Sequence, residues 1–302
     1  MFDDTAGYYD TASGWWSYWG GLVDGLFSWE SAWPAVGDTD LSSIGAVSLD
    51  MPVINASVAN KKGYMIALSS LQFKDSYNTN LYRAGDLNLP VRMSNILSMN
   101  PQPDFVEMIT WNDGPESHYI GNIWPEVNNN PQATVYENQA SWPHSAWQPL
   151  VTSFIKAWKA SVTSSSMVPP SNTQAVGALW YKTITSESTC PNNPPTPQGW
   201  TTATDSLNWA IVLASGQTGM KARAISNGKV LQEAGLYPGL NYGSPPGVQA
   251  GAQMLEVVDS SGKVVFSVTG GKCISTGCPD GIYNMNYQVV GLASGSGNAG
   301  SC

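Results

Sequence analysis

The sequence predicts two architectures in succession: an α/β barrel over residues 1–184 and an all-β sandwich over 185–302. Two observations carry this. In the first part short apolar strands alternate with longer mixed segments, and polar, aromatic-rich loops follow the strand ends, where α/β barrels place their chemistry. After about residue 185, Pro- and Gly-rich turns separate short strands and no helical period competes. A chain of 302 residues is long enough for two domains and a sizeable core.

The elements follow in order. Val23–Trp29 reads as a strand ending in the loop Glu30–Pro34, and Gly63–Ser69 reads as a second strand. Asn80–Met99 suits a helix. Asp104–Trp111 is an apolar strand, and Ser145–Ala160 sets Leu150, Phe154, Ile155 and Trp158 at helical spacing. Pro149 falls in the first turn of that helix, where proline is tolerated. Val176–Tyr181 is a further strand. The second part contributes strands at Trp209–Ala214, Lys221–Ser226, Met254–Val258, Val264–Val268 and Tyr287–Val290, with Asp259–Gly262 as a hairpin turn.

Composition narrows the function. Charged residues make up 12% and the net charge is -9, which argues against nucleic acid and against a polybasic membrane contact. No apolar run approaches the ~18 residues of a membrane span. Thirteen Trp and thirteen Tyr with little charge suit a neutral polysaccharide ligand, although most of these rings belong in the core. Cys190, Cys273, Cys278 and Cys302 match no zinc spacing, and no metal or other cofactor is expected. Disulfides fit better, with Cys273–Cys278 as a tight pair and Cys190–Cys302 tying the second domain. Disulfides and the sequon Asn55-Ala-Ser57 point to an extracellular or cell-wall setting. The acidic start Met1-Phe-Asp-Asp carries no secretory leader, which suggests a mature or incomplete chain.

The chemistry concentrates at 104–121, where an apolar strand ends in a loop carrying Asp113 and Glu116. Cleaving a glycosidic bond takes two carboxyls: one protonated to donate to the leaving oxygen, the other ionised to activate water or attack carbon. Gly114-Pro115 breaks the strand between them. Trp111 and Tyr119 offer flat faces for a sugar ring, and Asn112, Ser117 and His118 offer hydrogen bonds to hydroxyls. The competing reading is an acidic turn that merely caps a strand. His144, beside Pro143 at a helix start, reads as structural.

The run Trp111-Asn-Asp-Gly-Pro-Glu-Ser-His-Tyr-Ile-Gly121 resembles the active-site signature of glycoside hydrolase family 71, the fungal endo-α-1,3-glucanases or mutanases. Segments 23–34, 63–73 and 102–113 resemble successive barrel strands of that family, 178–182 its last barrel strand, and 281–291 the end of its β-sandwich. The resemblance implies a partial (β/α)8 TIM-type barrel, its C-terminal half, followed by the sandwich. It implies inverting hydrolysis of α-1,3-glucan; a monomer is expected. It also implies that Asp113 and Glu116 are catalytic, with Glu116 assigned as proton donor and Asp113 as base. Asp24, Trp29, Glu30 and Trp33 become candidates for the subsite wall, with packing or surface loop as their plainer reading. The family has an aromatic residue and a glycine where this chain has Gly114-Pro115, and aromatic residues partly replaced by polar ones in Gln72–Asn78. Its early half, with a further essential aspartate, would lie before Met1. The alternative function is a non-catalytic glucan-binding wall protein; a secreted structural sandwich with an incidental acidic loop leaves the signature unexplained.

Overall fold

A computed structural model describes residues 13–123, 132–138 and 140–295. The first element is helix α1 (Ser13–Trp19). Strands β1 (Gly25–Ser28) and β2 (Gly63–Leu68) flank helix α2 (Asp50–Ala59). A hairpin of β3 (Gln72–Ser76) and β4 (Thr79–Arg83) follows, then helix α3 (Asn88–Ser98) and strand β5 (Phe105–Met108). Helices α4 (Thr134–Glu137) and α5 (Gln148–Lys159) precede β6 (Ala175–Lys182). The remaining strands are β7 (Asn208–Leu213), β8 (Lys221–Ser226), β9 (Lys229–Gly235), β10 (Gly239–Gly243), β11 (Gln253–Val258), β12 (Val264–Thr269), β13 (Tyr287–Gly291) and β14 (Ala293–Ser294).

Strands β1, β2 and β5 form a parallel sheet in that order. Register aligns Ser28 with Ile66 and Leu68 with Met108, so the strands end at nearly one level. Among the described residues this sheet has three strands and remains open. The expected fourth barrel strand, β6, lies elsewhere. It pairs antiparallel with β7 and β13 inside a sheet ordered β10-β7-β6-β13. Its run Ala-Val-Gly-Ala-Leu-Trp-Tyr-Lys is apolar on both faces, so its pattern alone does not separate a barrel strand from the middle layer of a stack.

That middle layer joins two cores. Ala178, Trp180, Ala210, Val212 and Val289 pack with Leu26, Ile66, Leu68, Met93, Ile96, Leu150 and Phe154 of the first part. The alternate residues Leu179, Tyr181, Trp209, Ile211 and Leu213 face Ala222, Ala224, Leu255 and Val257 of the five-stranded sheet β14-β12-β11-β8-β9. Period-two alternation therefore sends each face of β6 and β7 into a different core.

Several local expectations change. The segment expected as a helix from Asn80 begins as strand β4, because Tyr77 and Asn78 both take positive φ and close a two-residue hairpin turn. Asn227-Gly228 makes the same kind of turn between β8 and β9, so the unexpected β9 has a legible signal. Asp259 Oδ1 accepts the backbone N–H groups of Ser261 and Lys263 at the expected β11–β12 turn. The disulfide pairing also differs: Cys190 bonds Cys278, with Cα atoms 4.9 Å apart across 88 residues of sequence. This displaces both expected pairs, since nearness along the chain gave no measure of nearness in space. Cys302 lies outside the described residues. No described helix is long and apolar enough to cross a membrane.

Candidate active site

The parallel register places three loops side by side: Trp29–Trp33 after β1, Ser69–Leu71 after β2, and Ile109–Gly121 after β5. The last loop is tightly held. The Thr110 N–H donates to the His118 carbonyl at 2.7 Å, Ile120 N–H to Thr110 at 3.1 Å, and Gly121 N–H to Trp111 at 2.7 Å. Within it, Ser117 N–H donates to the Gly114 carbonyl at 2.9 Å, and Ser117 takes a positive φ to close the turn. Phe73 N–H donates to the Glu116 carbonyl at 3.1 Å and ties the turn to β3.

Asp113, Glu116 and His118 converge, each offering an oxygen or ring nitrogen within 4.8 Å of the others. The two carboxyls sit in opposite surroundings. Glu116 Oε2 accepts from Gln72 Nε2 at 2.7 Å and from His118 Nε2 at 3.1 Å, while Lys74 Nζ lies 3.1 Å from Oε1. The His118 bond first, with support from Gln72 and Lys74, holds the Glu116 carboxyl down at about 2. Asp113 has fewer donors, a backbone hydrogen bond from Glu116 and His118 Nε2 at 3.8 Å, and burial pushes its carboxyl up. The His118 ring bridges the turn: its Nε2 lies 3.1 Å from Glu116 Oε2, and its Nδ1 lies 3.3 Å from Thr110 Oγ1. Thr110 Oγ1 in turn accepts the Asp113 backbone N–H at 2.9 Å.

Donors around Glu116 also bear on metal binding. Asp113, Glu116 and His118 are the one set of ligand types close enough to share an ion among the described residues. Lys74 already places a cation on Glu116, and three donors fill most of its roughly four acceptor positions. Little of Glu116 is left to bind an ion.

The other predicted residues divide. Trp29 approaches His118 edge-on at 6.0 Å, and Trp33 lies tilted over His118 at 5.3 Å. Glu30 pairs with Arg83 at 2.6 Å, and Arg83 covers the Trp33 ring, which fastens this wall to β4. Trp111 is 58% exposed and rests on Gly121, where any Cβ would collide with the indole. Asn112 is exposed beside it. Ser117 and His118 are buried, Ser117 with its hydroxyl unpartnered among the described residues. Two expectations are not met. Tyr119 is fully buried, donates to the Trp142 carbonyl at 2.5 Å and stacks on His144 at 4.0 Å, so its ring presents no face to a sugar. Asp24 precedes β1 and lies at the opposite end of the sheet, roughly 13 Å of strand away. His144 is structural as expected: its ring nitrogens lie 3.0 and 3.1 Å from the carbonyls of Tyr119 and Tyr287, and burial pushes it down to about 4.

Sequence reasoning missed Gln72, Lys74 and Glu137. Glu137 ends α4, is buried, and abuts Gly114, where a Cβ would collide with its carboxylate. Gln72 and Lys74 carry a signal only after the fact, as alternate residues of one strand edge facing the acid turn.

With this geometry in view, the comparisons are decisive on ancestry. The family model described as glycosyl hydrolase family 71 matches residues 5–301. The chain belongs to glycosyl hydrolase family 71. It is 28% identical over 278 residues to a mutanase of Penicillium rubens, covering 91% of this chain and 58% of that protein. It is 30% identical over 189 residues to a glucan endo-1,3-alpha-glucosidase of Schizosaccharomyces pombe, covering 62% of this chain and 38% of that protein. The chain thus spans a little over half the length of one curated relative and less of the other. No solved structure matches.

Proposed function

We propose that this chain carries the hydrolytic centre of a secreted α-1,3-glucan hydrolase. The observation that carries the reading is the division of labour inside the acid turn: one carboxyl fixed as an anion by three donors, the other left short of donors and raised by burial. Two carboxyls driven apart in this way supply an acid and its ionised partner at one pH. The named activities of both relatives give the substrate class. The disulfide Cys190–Cys278 supports an oxidising, extracellular setting. In the same reading the parallel sheet belongs to an α/β barrel, and the antiparallel sheets that share a core form a β-sandwich.

In this reading the roles are the reverse of those expected from sequence. Asp113, 36% exposed at its side chain, is the group suited to hold a proton and pass it to the glycosidic oxygen. Glu116 is ionised and keeps about one acceptor position for a water that adds to the sugar carbon. Trp111 supplies the exposed flat face. Inversion remains the stereochemical reading, because an anion held by three donors is a poor nucleophile. The nearest oxygens lie within 4.8 Å, below the roughly 6.5–9.5 Å between the carboxyls of inverting enzymes, so the anomer of the first product decides the stereochemistry.

The test is release of reducing sugar from insoluble α-1,3-glucan by the purified chain beside Asp113→Asn and Glu116→Gln. Parent activity is expected to fall about 10²–10⁴-fold in each variant. A folded parent that sediments with the glucan but releases nothing would favour a binding protein. Proton NMR of the first product is expected to show the β anomer; an α anomer overturns inversion.

A further inference from the structure

Behind the acid turn lies a third carboxyl that the proposed chemistry does not use. Glu137 is 2% exposed, and neither of its carboxylate oxygens has a hydrogen-bond partner among the described residues. A buried carboxylate without donors is costly as an anion and far cheaper as a neutral acid. Among the described residues no cation acts on that charge. Asp113, Tyr119 and Tyr136 face it, with Glu116, His118, Lys74 and Asp75 behind them. Lys74, the one lysine or arginine of that set, is committed to Glu116.

The backbone holds Glu137 against the pair. Its carboxylate fills the space where Gly114 lacks a side chain, and Gly114 directly follows Asp113. Pro115, next in the turn, accepts at its carbonyl from the Tyr136 hydroxyl at 2.9 Å, and the Asp75 N–H donates to the same hydroxyl at 3.1 Å. The turn and the end of α4 are therefore linked on both sides of the contact.

We infer that Glu137 and Asp113 form a coupled carboxyl pair across Gly114 that shares the last proton of the site, making Glu137 a positioning residue for the acid. This rests on the hydrolase reading above. Burial first, and then the Asp113 charge, push the Glu137 carboxyl up to about 7. Two such groups titrate as a unit, so the singly protonated pair persists until Glu137 itself ionises. A fraction of that proton resides on Asp113 throughout. Asp113 thereby remains a usable acid at pH values where an uncoupled carboxyl would be spent. With no direct hydrogen bond recorded between the two, the coupling acts through charge.

The experiment has two readouts. Carbon-13 NMR of the parent labelled at its Asp and Glu carboxyls should show the Asp113 resonance titrating in two steps, the second near 7, and in one step in Glu137→Gln. The pH profile of glucan hydrolysis should lose its alkaline shoulder in Glu137→Gln, the limb moving down by about one pH unit while activity near pH 4 persists. A single-step Asp113 titration in the parent overturns the coupling and needs no variant to fold. Superposable pH profiles for parent and variant overturn the positioning role. A parent inactive on glucan at every pH would defeat the hydrolase reading, while the titration still decides the coupling.

Discussion

Two sets of carboxylates lie at the same parallel sheet and behave in opposite ways. Asp50, at the start of α2, is fully buried and fully satisfied. Its Oδ1 accepts from the Tyr64 hydroxyl at 2.6 Å and from Ser31 Oγ at 2.7 Å, and its Oδ2 lies 3.0 Å from Arg92 Nη2. Arg92 spends its other donors on the carbonyls of Ala67 and Ala46. Across the strand ends, Asp113 has a backbone hydrogen bond from Glu116 and one distant imidazole, and Glu137 has no partner among the described residues. Asp50 and Glu137 are alike in burial and differ in donors. A carboxylate given every donor it can use becomes a structural rivet, and one denied them becomes a place where a proton can be kept.

The comparison breaks most visibly at Arg92. Arg92→Ala strands the Asp50 charge in the core, and urea unfolding should show a loss of about 3–5 kcal/mol. A loss under 1 kcal/mol would mean that the pair does not hold α3 to α2. Next in size is the acid dependence of Glu116. Its folded value, about 2, lies below its ordinary 4.5. The stability it contributes is therefore present above pH 4.5 and is lost as pH falls toward 2. This amounts to at most about 3 kcal/mol at neutral pH, reduced by its partial exposure. Stability measured from pH 6 to pH 2 should fall less steeply in Glu116→Gln than in the parent; parallel curves would remove the donors' role. Smallest is the exposed wall. Trp111→Ala should leave stability within about 0.5 kcal/mol. Glucan sedimentation should weaken by about 0.5–1.5 kcal/mol. Unchanged sedimentation would mean that sugar stacks elsewhere.

Residues close in sequence made much of this protein legible. Alternation and apolar runs marked β1, β2, β5 and most of the later strands, and the spacing of Leu150 and Phe154 marked α5, because these patterns are properties of a single segment. The acid turn was legible for the same reason, since Asp113, Glu116 and His118 lie within six residues. Its immediate electrostatics were not. Gln72 and Lys74 reach Glu116 from a hairpin some forty residues upstream, in the very stretch where the family's aromatic residues give way to polar ones. Together with the His118 bond they hold the Glu116 carboxyl low, while burial raises Asp113. Glu137 arrives from downstream and looks in sequence like any surface acid. The cystine Cys190–Cys278 and the seat of β6 between two cores were likewise decided by contacts between distant segments. Periodicity and turn residues fix what a segment becomes; which charge meets which donor depends on how separate segments pack, and one sequence pattern is compatible with several such packings.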